Sequence, residues 1–162
     1  MAAFLAQLTA RSINDANDAF DFRLYAIRDL RNLEDPPEGG VCEGAVRQAA
    51  MWIRYAGEQL RKLSVEGYID ENTNGMCNSI GKYRNRRWKG FNKPRWAAWD
   101  AELKAAQSEL GPKQNIDPTI RLAVELMDKL VPTRTRRWAP LRSSNTRNSL
   151  GVRRSTRIRK TT

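Results

Sequence analysis

Histidine is absent from all 162 residues. With it go the commonest general base near neutral pH and the commonest metal ligand, so Ser-His-Asp, Cys-His and His-metal chemistries are excluded. Neither a Gly-x-x-x-x-Gly-Lys-Ser/Thr phosphate loop nor a Gly-x-Gly-x-x-Gly dinucleotide turn occurs. Carboxylate pairs assembled in space leave no trace in a linear sequence, so that class stays open. On the missing motifs, the expectation is a protein that is not an enzyme and binds no cofactor.

Cysteine is nearly absent too: Cys42 and Cys77 are separated by 34 residues, a spacing that fits no zinc or redox motif. Two unrelated thiols are expected, with a Cys42–Cys77 disulfide as the alternative. Long apolar runs are missing, and nothing approaches the roughly 20 residues a membrane span needs. The opening MAAFLAQLTA lacks the basic region and apolar run of a signal peptide, and no Asn-x-Ser/Thr acceptor occurs. Nucleus or cytoplasm is the expected compartment.

Acidic side chains are missing from residues 133–162, which carry ten cations: Arg134, Arg136, Arg137, Arg142, Arg147, Arg153, Arg154, Arg157, Arg159 and Lys160. Residues 1–132 hold 19 basic and 18 acidic side chains, so the formal charge of +11 comes almost wholly from the tail. A polycation of this kind favours nucleic acid, an anionic membrane face or an import receptor. Apolar periodicity disappears beyond Pro132, and disorder is expected there because little hydrophobic surface offsets the entropy of ordering. The division expected is a helical domain over 1–132 and a disordered basic tail over 133–162.

What is present upstream is helical pattern. Phe4, Leu5 and Leu8 share one face of a short first helix. A second helix follows the Asp15–Asp18 stretch, with Phe20, Leu24, Ile27 and Leu30 at alternating four- and three-residue steps. Asp35-Pro36-Pro37-Glu38-Gly39-Gly40 ends it. The third helix, about 42–63, lines Ala45, Ala49, Trp52, Ile53, Ala56, Leu60 and Leu63 on one side, with Arg47, Arg54, Glu58 and Arg61 off that stripe. Residues 64–81, polar and rich in Asn and Gly, read as a loop. A fourth helix follows Asn92 or Lys93, with Pro94 in its first turn and Trp96, Trp99, Leu103, Ala106 and Leu110 in period until Gly111-Pro112. A fifth opens at Asp117-Pro118 and carries Ile120, Val124, Met127, Leu130 and Val131. No segment alternates as a half-buried strand does. The pattern predicts an all-α fold, an irregular bundle of four to five helices with a disordered Arg-rich C-terminal tail.

Three segments carry candidate chemistry. Asp70-Glu71-Asn72-Thr73-Asn74-Gly75 imitates the first half of a calcium loop, but the twelfth position, where a bidentate Glu is required, is Gly81. An Asn/Gly turn is the better reading, and no metal is expected. Residues 82–96 set Lys82, Arg84, Arg86, Arg87, Lys89, Lys93 and Arg95 among Tyr83, Trp88, Phe91 and Trp96. Cations neutralise phosphates and aromatic faces stack on bases, so this basic-aromatic patch is a candidate nucleic-acid surface, with Lys82, Arg84, Arg86, Arg87, Trp88 and Lys89 at its centre. The competing reading makes the aromatics core anchors that leave the cations in solvent; it is favoured for Trp96 and Trp99, while Trp88 is undecided. In the tail, Arg134, Arg136 and Arg137 form one cluster and Arg153, Arg154, Arg157, Arg159 and Lys160 a second, fit for a phosphate backbone or an import receptor. Phosphorylation of Ser155 or Thr156 would weaken such binding.

Several stretches also resemble a known family. Phe4-Leu5-Ala6-Gln7-Leu8-Thr9-Ala10 followed by Asp21-Phe22-Arg23-Leu24-Tyr25-Ala26-Ile27-Arg28-Asp29-Leu30-Arg31 resembles the opening of a fungal family catalogued as domain of unknown function 3632. Ala49-Ala50-Met51-Trp52-Ile53-Arg54-Tyr55-Ala56-Gly57 is similar to a helix of that family, and Gly90-Phe91 with Arg95-Trp96 and Trp99 to a later segment. The resemblance covers about residues 4–110 in ordered blocks. Asn92-Lys93-Pro94 departs from the family's Ser-Leu-Glu, Ala101-Glu102-Leu103 lacks its basic-aromatic ending, and the tail is no part of it. The resemblance implies a helical fold and supplies no activity or site residues. Three functions remain: a helical module whose basic tail binds nucleic acid or directs nuclear import, a protein-interaction domain with an incidental tail, and an unrecognised enzyme.

Overall fold

The computed structural model describes residues 1–12, 22–36, 40–69, 75, 77–111 and 117–130. Among these residues the fold is all-α: α1 (Ala2–Arg11), α2 (Arg23–Arg31), α3 (Glu43–Glu66), a 3-10 turn (Gly81–Arg86), α4 (Lys93–Leu110) and α5 (Pro118–Leu130). No strand occurs among them, and extended pairing is limited to an isolated antiparallel bridge between Asn78 and Lys89. The Asp15–Asp18 start, Phe20, the calcium-like Asp70–Asn74, Val131, and the tail with its expected disorder and both clusters lie outside the described residues.

The central element is α3, 24 residues long and so about 36 Å from end to end. It packs against α1, α2, α4 and α5, and α4 also meets α5. Its buried side follows the expected stripe, with Ala49, Trp52, Ile53, Ala56 and Leu60 fully enclosed, while Arg47, Arg54 and Glu58 face solvent. Small residues on that face let neighbours approach closely: a Cβ added at Gly57 would stand 3.3 Å from Leu130 Cδ1 and 3.4 Å from Leu126 Cδ2 of α5. Two of the three buried indoles, Trp52 and Trp99, have partners for their N–H groups, while that of Trp96 has none among the described residues. Trp52 donates to Asp29 Oδ2 of α2 at 2.8 Å, and Trp99 of α4 donates to Glu34 Oε1 at 2.8 Å. Without those acceptors each buried N–H would cost about 1–3 kcal/mol.

Side-chain caps set the starts of the last two helices. Asn92 caps α4, its Oδ1 accepting from Arg95 N at 2.9 Å, with Pro94 in the first turn. Asp117 caps α5 by accepting from Thr119 N at 2.7 Å. This main-chain bond comes first, and with the Arg47 guanidinium it holds the Asp117 carboxyl below its usual range.

Three expectations need correction. Helix α3 runs past Leu63 to Glu66, because Ser64 returns its hydroxyl to Leu60 O at 2.8 Å and only Gly67, in the left-handed region, stops the chain. Residues 64–66 are therefore helix, and the supposed loop also ends in a 3-10 turn beginning at Gly81. In α1 the face turned inward is Ala6 and Thr9, not Phe4, which is 64% exposed. The small side chains bring α1 close to α3, and Phe4 is carried onto the flank. Helix α2 begins only at Arg23, with Phe22 at its N-cap and no side-chain cap bond. The two cysteines are free thiols, Cys42 exposed and Cys77 buried.

Candidate functional site

The basic-aromatic segment is held on a buried charge. Arg95, one of its seven cations, is fully buried, as is Glu34 at the end of the turn after α2. The Arg95 guanidinium donates Nε to Glu34 Oε1 at 2.6 Å, Nη1 to Cys77 O at 2.6 Å and Gly90 O at 2.9 Å, and Nη2 to Asn78 O at 3.2 Å. It lies over the Trp99 ring, 5.0 Å from the centroid. Glu34 is equally committed: Oε1 also accepts from Trp99 and Oε2 from Ile80 N at 3.0 Å. One ion pair thus ties the turn after α2, the α3–α4 loop and the first turn of α4 together. Arg95 is removed from the candidate binding surface, because its planar fork suits four acceptors converging in a dry site.

Around this pair the loop is rigidly specified. Ser79 N donates to Trp88 O at 2.9 Å and Trp88 N to Ser79 Oγ at 3.2 Å; Gly90 N donates to Cys77 O and Phe91 N to Tyr68 O. Two glycines allow the fit. Gly81 and Gly90 both have positive φ, and a Cβ on either would overlap a main-chain oxygen, Glu34 O and Tyr68 O respectively. Phe91 is buried edge-on to Trp99, with ring centroids 5.9 Å apart. Trp96 and Trp99 are core residues, as helical spacing predicted.

The remaining members face outward. Arg84, Arg86, Arg87, Lys89 and Lys93 are exposed, and among the described residues no carboxylate pairs with any of them. Lys82 is exposed too but forms an ion pair with Glu102 of α4. Tyr83 donates its hydroxyl to Glu102 Oε1 at 2.6 Å. Burial, then the Glu102 hydrogen bond and charge, push the Tyr83 phenol well above its ordinary value, so it stays a neutral donor. Trp88 is half-buried and stacks on Tyr83, with centroids 5.3 Å apart and planes inclined by 24°. Arg87, between these groups, holds φ at 53°, a value otherwise found only at glycines among the described residues.

Charge is therefore separated within the body. Residues 82–96 carry seven cations and no anion, while the rest of 1–132 carries 12 basic and 18 acidic side chains. Of the centre expected from sequence, the structure brings Arg84, Arg86, Arg87, Trp88 and Lys89 onto one loop and assigns Lys82 to Glu102. Sequence reasoning missed Glu34 and Glu102, the two anions that organise the patch from outside it. A lone Glu after a helix gives no signal of its partner 61 residues away.

A small groove of about 170 Å³ lies beside the patch, lined by Leu33, Val41, Val46 and Ala106 with Lys82 and Glu102 among its polar residues. That is small beside the roughly 300–1,000 Å³ of typical small-molecule sites. Among the described residues, no group of three or more Cys, Asp or Glu side chains is placed to hold a metal ion. No helix among them is long and apolar enough to cross a membrane.

A family model described as "Protein of unknown function (DUF3632)" matches residues 1–103. No curated protein matches this chain, and no solved structure does.

Proposed function

The chain belongs to the DUF3632 family, and from that premise we propose that it is a non-enzymatic module that binds nucleic acid through its phosphates. The observation that carries the proposal is the ordered display of Arg84, Arg86, Arg87 and Lys89, exposed and, among the described residues, without carboxylate partners, on a loop clamped by Glu34 and Arg95. Cations meant only for solubility need no such clamp. A loop backbone ordered in advance avoids the entropy of ordering the loop on binding, and it fixes the register of phosphate contacts. Arg134, Arg136, Arg137, Arg153, Arg154, Arg157, Arg159 and Lys160 add a second polycation that favours the same ligand by charge alone. The absence of histidine supports the non-enzymatic part of the reading.

The test is a salt titration of the full chain on duplex DNA and on RNA. Two variants accompany it, one with Arg84, Arg86, Arg87 and Lys89 changed to Gln and one with the tail cations changed to Gln. Each phosphate contact contributes about −0.9 to the slope of log affinity against log salt on duplex. Loss of the four loop cations, one phosphate contact each, is expected to flatten that slope by about 3.6. Undetectable binding at low salt would sink the proposal and direct the search to protein partners of the helices. The tail clusters also fit an import receptor. Nuclear location abolished by the tail variant, with unchanged nucleic-acid binding, would assign the tail to import.

A further inference from the structure

We propose that the ligand of this loop is a single-stranded nucleic acid, and that Trp88 is the surface on which one of its bases stacks. The inference rests on the nucleic-acid reading above and names its substrate class. Phosphate binding alone uses cations, and the loop has them; it gives no reason for an indole held at the surface among them. Trp88 keeps part of its area in solvent, while Tyr83 supports its ring at 5.3 Å. That support is fixed at both ends. The Tyr83 hydroxyl is held by Glu102 at 2.6 Å, and the Trp88 main chain is held by Ser79 through two hydrogen bonds. An aromatic pair immobilised before binding extends a base stack at little entropic cost. Bases inside a duplex are already stacked on both faces, so only an unpaired base can use such a platform.

Arg87 supplies an independent observation. At φ 53° it occupies backbone space that this loop elsewhere gives to Gly81 and Gly90. Arg87 closes the 3-10 turn as its C-cap, with its N–H bonded to Arg84 O, and this position carries an exposed cation where a helix end ordinarily takes glycine. Arg87 is exposed and adjoins Trp88 in the chain, so it is available to a phosphate flanking the stacked base.

The experiment uses the full chain with labelled oligo(dT), oligo(U) and a DNA duplex of equal length, at fixed salt. Trp88→Leu is expected to weaken both single strands by about tenfold and the duplex by less than twofold. Arg87→Gly is expected to weaken them as well while leaving the melting temperature equal or higher, which a merely structural residue would not do. Quenching of intrinsic fluorescence by oligo(dT) should diminish in Trp88→Leu. Equal losses on duplex and single strand, or no loss in Trp88→Leu, would overturn the stacking assignment and leave phosphate binding standing. Binding of all three nucleic acids no tighter than of polyglutamate would overturn both readings.

Discussion

Replacing Glu34 with Gln keeps the shape of the side chain and removes its charge, leaving the Arg95 guanidinium fully buried with only neutral carbonyl oxygens as acceptors, the Gln amide oxygen among them. Breaking a buried ion pair on one side costs about 3–5 kcal/mol, because the surviving charge is neither paired nor hydrated. A domain is typically stable by only about 5–15 kcal/mol, so this change should remove a large fraction of the total. Arg95→Met makes the complementary break: Gly90 O and Asn78 O lose their donors, and Glu34 is left ionised in a dry site or must take up a proton. The double variant Glu34→Gln with Arg95→Met removes both charges, but the Gln amide offers one acceptor where Glu34 had two, so Ile80 N or the Trp99 indole N–H is stranded. Its cost should therefore stay above zero yet fall short of the sum of the single costs by about 2 kcal/mol or more. Urea denaturation followed by tryptophan fluorescence measures all three, and the cycle isolates the coupling. A cost below about 1 kcal/mol for Glu34→Gln, or additive single costs, would refute the ion pair as the clamp of the basic loop.

Asn92→Ala removes the side-chain cap of α4 and should cost about 1 kcal/mol by denaturant midpoint, with Asn92→Gly milder. Gly90→Ala places a Cβ against Tyr68 O in a left-handed conformation, so its midpoint should fall by more than that of the cap variant. Hydrogen exchange should show the added opening first at Cys77–Lys89. Asp117 binds its proton less readily folded than unfolded, so its stabilising contribution is whole above the unfolded value of about 3.9 and is lost as pH falls through the lower folded one. Asp117→Asn should therefore be less stable than the parent at pH 6, with the gap narrowing in melts at progressively lower pH.

Helix identity was legible because it rests on periodicity. The stripe from Ala49 to Leu60 and the Trp96–Trp99–Leu103–Ala106 series report which side of a helix avoids water, whatever lies opposite. The cap was legible at Asp117, which precedes a helical proline, and the start of α4 was legible to within a residue, Asn92 or Lys93. The misjudged elements depended on partners. Ser64 looked like a loop residue until its hydroxyl found Leu60 O inside the helix. Phe4 looked like core, but the close approach of α1 to α3 favoured Ala6 and Thr9.

For the candidate site the division is sharper. Charge separation was determined by the sequence alone: cations cluster over residues 82–95 and again beyond Pro132. Seven similar cations, however, do not announce which are buried. Only tertiary structure drew Arg95 into the core against Glu34, paired Lys82 with Glu102, and left Arg84, Arg86, Arg87 and Lys89 displayed around Trp88. The physical reason is that a buried charge is tolerated only where a counter-charge and enough acceptors converge from several segments. That convergence is a property of three-dimensional packing, and no local pattern encodes it.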